Sequence, residues 1–263
     1  MDYGIQDRVA LVAASSKGLG KACALGLARE GVRVALCARD ETVLEQTAND
    51  IAEATGAQVS WQRADMSSAE DILELVETTR ARFGKIDILV TNAGGPPPGS
   101  FLEFTDEDWL SALNLNLMST IRLIRAVLPQ MQEQKWGRIV NITSVTVKQP
   151  IEVLLLSNVS RAGVVTLSKT LSNQLAKDNV LINTVCPGII LTDRVDQLTH
   201  NMAQAQNISQ DDALQNYVQP VPMGRPGQPS EFADLVVFLS SERCSYMTGT
   251  VTQIDGGLVQ GYF

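Results

Sequence analysis

The sequence predicts an α/β chain, a doubly wound parallel sheet of about seven strands with helices on both faces. Three observations carry this. Short apolar runs such as "RVALVAA" (8–14) and "VRVALCA" (32–38) alternate with amphipathic stretches of helical period, the pattern of βαβ units. These runs are nearly continuously apolar, as strands covered on both faces require. The first run also ends in "SSKGLG" (15–20), a glycine-rich turn into a helix. No linker, repeat or low-complexity tract interrupts the 263 residues, so a single domain, 1–263, is expected.

The elements follow in order. After the strand at 8–14 a helical pattern runs to Glu30, and Gly31 suits its C-cap. The strand at 32–38 leads to a polar amphipathic helix over about 41–55, a strand at 57–65, a helix over about 68–83 and a strand at 86–95. Residues 106–135 carry Leu113, Leu117, Ile121, Ile124 and Leu128 at helical spacing, which predicts one long helix. "GRIVNITS" (137–144) is the next strand, and "IEVLLLSNVSRAGVVTLSKTLSNQLA" (151–176) reads as another long helix. "VLINTVCPG" (180–188) is a strand closed by a Pro-Gly stop. Residues 193–227 are polar, rich in Gln and Asn and weakly patterned, so a mobile substrate loop with short helices is expected there. "PSEFADLVVFLSS" (229–241) is a helix with Ser230 as its expected N-cap, and "TGTVTQIDGG" (248–257) supplies the last strand and turn.

Composition narrows the function classes. The net charge is −8 and no Lys/Arg run stands out, which argues against a nucleic-acid surface or binding to anionic membranes. The N-terminus is polar and no apolar stretch is long enough to span a bilayer. Cys23, Cys37, Cys186 and Cys244 are far apart with no CxxC spacing. They read as free, mostly buried thiols of a cytoplasmic protein. A single histidine, His200, excludes a His-rich metal site, and no metal is expected.

Ligands of such sheets bind beyond the carboxyl ends of the strands. The turn "AASSKGLG" (13–20) places Gly18 and Gly20 at a helix start. There glycine lets the backbone approach a pyrophosphate, and the helix N-terminus offers N–H groups; a tight helix entry without a ligand would use the same residues. Arg39 stands about 20 residues beyond the turn, where a basic residue favours a ribose 2′-phosphate. Lys17 adds charge, although either cation could simply be solvated. Asp65 is placed either to accept an adenine N–H or to cap the next helix. Asn92, Ala93 and Gly94 would pack small groups against the same ligand.

With "AD" (64–65), "NAG" (92–94), "NLNL" (114–117), "IVNITS" (139–144), "SRAGV" (160–164), "INTVCPG" (182–188) and "IDGG" (254–257) added in series, the chain resembles the short-chain dehydrogenase/reductase family over nearly its full length. The resemblance is closest to the 3-oxoacyl-carrier-protein reductase type. It implies a Rossmann-type sheet, a small-molecule substrate, and NADP(H) rather than NAD(H) as cofactor. It assigns the dinucleotide to Ala14, Ser16, Lys17, Gly18, Leu19, Gly20, Arg39, Asp65, Met66, Asn92, Ala93, Gly94 and Arg161. The "PGxxxT" segment adds Pro187, Gly188, Ile190 and Thr192. Asn116 matches the structural and proton-relay asparagine, and Ser144 the serine that hydrogen-bonds the substrate carbonyl. A homotetramer or homodimer is implied, built on the helices at about 106–135 and 152–178 and on the last strand.

Two departures stand out. The family's Tyr-x-x-x-Lys positions fall on Ser157 and Arg161, thirteen and seventeen residues beyond Ser144. The i, i+4 spacing keeps both on one helix face. A serine is far less acidic than a tyrosine, whose pKa lies near 10, and an arginine stays protonated. The family's Thr-Gly before the glycine turn is Ala13-Ala14 here, strained if φ is positive at the second. The leading reading is an NADP(H)-dependent reductase of a carbonyl, or of an activated C=C or C=N bond. Ser144 and Ser157 would polarise the substrate, helped by Arg161, Lys148 or a water. The alternatives are a cofactor-binding homologue with weak or no turnover, serving as sensor or partner subunit, and a lyase-type reaction for which no acid/base pair is evident. "GPPPGSF" (95–101) and residues 193–225 would wall the pocket. Leu154, Leu155 and Leu156 either face it, suiting a substrate of low polarity, or form an interface.

Overall fold

In the computed structural model, which describes residues 2–261, seven strands form one sheet: β1 (Val9–Val12), β2 (Arg33–Ala38), β3 (Val59–Arg63), β4 (Ile88–Thr91), β5 (Gly137–Ile142), β6 (Val180–Pro187) and β7 (Val251–Ile254). Their order is β3-β2-β1-β4-β5-β6-β7, with every neighbouring pair parallel. The chain begins in the middle, runs out to β3, then returns to β4 beside β1 and continues the other way. That reversal opens a crevice beyond the carboxyl ends of β1 and β4, where doubly wound sheets take ligands.

Helices cover both faces: α1 (Gly18–Arg29), α2 (Glu41–Thr55), α3 (Ala69–Phe83), α4 (Asp106–Leu113), α5 (Ser119–Glu133), α6 (Leu155–Leu175), α7 (Asp193–Gln206), α8 (Gln210–Val218) and α9 (Pro229–Leu239). Successive strand side chains point to opposite faces, so Val12, Leu36 and Val90 join Leu27 of α1 and Phe232 and Val236 of α9 in one core. Leu11, Ala35, Leu89 and Ile139 join Val76 of α3 and Leu123 and Val127 of α5 in the other. Each Val, Leu, Ile or Phe side chain among these contributes about 1.5–3 kcal/mol through burial.

Three expectations need correction and a fourth is sharpened. The helix expected over 106–135 is not α-helical throughout: a π-helical turn at Asn114–Met118 joins α4 to α5. The helix expected from 151 begins at Leu155, because Leu154 pairs through its backbone with Gly99; Leu154 and Leu155 are half-buried and Leu156 is in the interior. Of the loop with short helices expected at 193–227, the helices are present, as two regular elements, α7 and α8. Asn207 in the left-handed conformation stops the first, and Ser209, accepting from Asp212 N–H, starts the second. Ser230 does not cap α9. Pro229 occupies the first helical position, its preferred place, which moves the cap to Gln228, in a reciprocal pair with Glu231. Among the described residues no helix is long and apolar enough to cross a membrane.

Candidate active site

The first wall of the crevice is the turn between β1 and α1. Ser15, which sequence reasoning passed over, pins it: Ser15 Oγ donates to Val12 O (2.8 Å) and accepts from Cys37 N (3.1 Å), fastening β1 to β2. Ala14 adopts φ 49° and Gly18 φ 56°, so the alanine carries the strain that glycine would avoid. Asn92 Nδ2 donates to Ala14 O (3.2 Å), which uses that amide to hold the turn. A methyl on Gly20 would overlap Ala14 O and lie 2.8 Å from Ser15 Cα, so only glycine fits. Thr47 Oγ1 donates to Ser16 O (2.7 Å), and Leu19 packs on the core. Lys17 is the exposed N-cap and makes no side-chain cap bond; α1 has no acidic residue in its first turn. The opening amides of α1 therefore have no carboxylate competing for them.

At the outer end of the crevice, Arg39 is exposed just past β2 and close enough to Asp65 to act on its charge. Asp65 Oδ1 accepts from Ser67 N–H (2.8 Å) and Ser67 Oγ (2.7 Å). The Ser67 amide, foremost among its neighbours, holds this carboxyl below its ordinary pKa. The cap of α3 is Ser68, not Asp65. Met66 is in the core, so only its backbone faces outward chemistry.

The inner end gathers the reactive groups. Asn116 sits in the π-helical turn, buried; its Nδ2 donates back to Ala112 O (3.3 Å), and its Oδ1 has no protein partner. Such turns recur at functional sites. Ser144 follows β5, and its Oγ accepts from Thr146 N (3.2 Å). On α6, Arg161 Nε donates to Ser157 Oγ (3.1 Å), Nη1 donates to Thr143 O (3.1 Å) and Ile142 O (3.4 Å), and Nη2 donates to Gly94 O (3.4 Å). Burial, with repulsion from Arg194 adding to it, pulls the Arg161 pKa down to about 10. A cavity of about 10 Å³, lined by Asn92, Ala93, Asn116, Thr120, Ile142, Arg161 and Val164, has room for one water. A methyl on Gly94 would meet nothing within 4 Å, so the crevice is open there.

The second wall comes from β6. Gly188 N donates to Ile254 O (3.0 Å), and a methyl on Gly188 would come within 2.7 Å of Asp255 Cβ. Pro187 is the last residue of β6, and Ile190 pairs with Gly227. Thr192 Cγ2 lies 3.7 Å from a methyl placed on Gly18, so the start of α7 crosses the glycine turn. The contacts run from Thr192 to Gly18, from Ala14 to Asn92, from Gly94 to Arg161 and on to Ser157. Ser144 is joined to this chain through its neighbour Thr143. Arg39 and Asp65 stand apart at the far rim, and Met66 is in the core. Arg194 was not anticipated; its side chain covers Gly95. His200 is exposed, bonded to Gln204. No group of His, Cys, Asp and Glu suited to a metal occurs among the described residues.

The family described as enoyl-(acyl carrier protein) reductase matches residues 13–259. The chain belongs to the short-chain dehydrogenase/reductase family. It is 34% identical to the 3-oxoacyl-(acyl-carrier-protein) reductase FabG of Aquifex aeolicus, over 98% of this chain and all of the relative. The L-sorbose reductase of Gluconobacter frateurii, solved with NADPH and L-sorbose, superposes with a TM-score of 0.97 at 34% identity, covering 99% of this chain and 100% of that one. A variant of actinorhodin polyketide ketoreductase solved with NADPH gives 0.91 at 34% identity, covering 97% and 98%. Both superpositions cover nearly the whole of each chain.

Proposed function

We propose that this short-chain reductase uses NADP(H) to reduce a carbonyl, or an activated C=C or C=N bond, of a small molecule, with Ser157 and Arg161 in place of a phenol and an ammonium. One observation carries the reading: at the strand tips a buried guanidinium donates to the Ser157 hydroxyl oxygen at 3.1 Å. The crevice fits a dinucleotide. The α1 amides have no carboxylate or side-chain cap across them, Gly94 faces open space, and Lys17 and Arg39 suit a 2′-phosphate. The NADPH complexes of the two structural relatives support the same choice.

When bound, NADP(H) would supply the hydride. The chain's own residues handle the oxygen. Ser144 Oγ accepts from Thr146 N, which leaves its proton free to donate to the substrate. Because Arg161 Nε already donates to Ser157 Oγ, the Ser157 proton points elsewhere, and the adjacent cation favours its release towards developing negative charge. Three carbonyls hold the guanidinium in place. The reading extends to a cytoplasmic, self-associating protein.

Fluorescence titration with NADPH and NADH, followed by a ketone panel, tests this. NADPH is expected to bind at least tenfold more tightly than NADH and to be oxidised slowly. The double substitution Ser157→Tyr with Arg161→Lys should then raise kcat. A preference for NADH removes the roles given to Arg39 and Lys17. Tight NADPH binding with no oxidation of any substrate favours a non-catalytic sensor or partner subunit.

A further inference from the structure

Two guanidinium groups border the inner crevice, and neither forms an ion pair among the described residues. Some cations elsewhere are paired, Lys21 with Asp50, Lys135 with Asp178 and Arg225 with Glu231. Arg161 is buried and satisfied by neutral oxygens. Arg194, in the first turn of α7, is exposed. A methyl placed on Gly95 would overlap Arg194 Nη1 and lie 3.2 Å from both Cζ and Nη2, so the guanidinium lies across Gly95. The carbonyl of the preceding residue, Gly94, receives Arg161 Nη2. The two cations are near enough for Arg194 to weaken the hold of Arg161 on its proton, and Tyr217 of α8 also feels the Arg194 charge. Like charges held together at a partly dry site cost free energy until an anion joins them. Gly95 supplies the room that Arg194 needs to lie there.

We infer that Arg194 anchors a carboxylate carried by the substrate, so that the compound reduced is a keto acid whose charged end meets Arg194 while its carbonyl faces Ser144 and Ser157. The inference rests on the reductase reading and adds the substrate's chemical class. A planar guanidinium matches a carboxylate through two parallel hydrogen bonds. Leu156 is buried, which leaves only the half-buried Leu154 and Leu155 to face an apolar part of the substrate.

The test uses the full chain saturated with NADP+, so that binding is read without turnover. Calorimetry compares linear keto acids, with two to five carbons between ketone and carboxylate, with their methyl esters. At least one acid is expected to bind tenfold or more tightly than its ester. That preference should vanish in Arg194→Gln, survive in part in Arg194→Lys, and fall in Gly95→Ala, where the guanidinium is displaced but present. The NADPH Kd should change less than twofold in all three. Acids binding no better than esters, or a preference that outlasts Arg194→Gln, overturns the inference. So does a weakened NADPH Kd in Arg194→Gln with the acid preference intact, which would assign the guanidinium to the phosphates of the cofactor. If neither NADPH nor NADP+ binds the unmodified chain, the reductase reading fails by itself, and the same comparison on the chain alone still decides the role of Arg194.

Discussion

Ser157 and Arg161 form a unit at the scale of single residues. Replacing Ser157 with alanine leaves a charged, buried N–H without its acceptor, at a cost of about 1–3 kcal/mol. It also removes the proposed proton donor, an effect typically worth about 10²-fold or more. Ser157→Ala is therefore expected to lower kcat by about two orders of magnitude with NADPH affinity unchanged, whereas Ser157→Thr keeps much of the rate; steady-state kinetics beside a binding titration separates the two. Arg161 adds a pH signature. Burial pulls its pKa below the ordinary guanidinium range, to about 10 in the folded chain, so the native state loses this proton before the unfolded state does. Below about pH 10 the buried charge opposes folding, and that opposition is relieved as pH rises through that value. Activity runs the opposite way: kcat is expected to fall as pH passes about 10, because the cation beside Ser157 disappears. A rate that stays flat through that range would remove the cation from the mechanism.

At the scale of elements, the glycine turn shows how strain and necessity divide between neighbours. Gly20 allows no side chain, whereas Ala14 tolerates one in the left-handed region because Asn92 and the β1–β4 pairing hold its peptide in place. Ala14→Gly should stabilise the chain by about 0.5–1 kcal/mol, which calorimetry would read as a rise in Tm of about 1–4 °C, with the turn and its NADPH affinity unaltered. The strand and helix order was legible because the apolar runs and their spacing report burial directly. The turn at 15–20, the strand tip at 92–94 and the segment at 187–192 could be located for the same reason, each following a strand. The π-helical turn was not, since one extra residue in a helix barely disturbs the spacing of Leu113, Leu117 and Ile121. The helices α7 and α8 were read only as short helices within a loop because their exposed faces dilute the helical period, although Asn207 and the Ser209–Asp212 pair mark a stop and a start. Arg194 escaped notice because Gly95, the residue that makes room for it, lies far away in the sequence and on another element.

For the whole molecule, the remaining question is what covers its exposed apolar side chains. Phe101, Leu102, Leu110, Ile151, Val153 and Val159 are all exposed, and the pairing of Gly99 with Leu154 draws the first and last of these segments together. We propose that contact between subunits through α4 and the start of α6 covers them. Sedimentation at micromolar concentration should therefore give a mass above the 28.5 kDa of one chain, and Leu110→Asp with Val159→Asp should reduce it to that value while NADPH still binds; a monomeric parent would refute the contact. Away from the crevice, Trp136 lies between the guanidinium groups of Arg8 (3.8 Å) and Arg138 (4.5 Å), and its Nε1 donates to Glu242 (2.6 Å), which ties the N-terminal segment to the end of α9. The four cysteines lie inside this tied structure. All are buried and free, and burial raises the pKa of each, that of Cys37 to about 12. A thiol reagent meets no reactive sulfur until the chain opens, so its rate of uptake clocks spontaneous unfolding, and a cysteine introduced at the surface would be the single point of attachment for a dye.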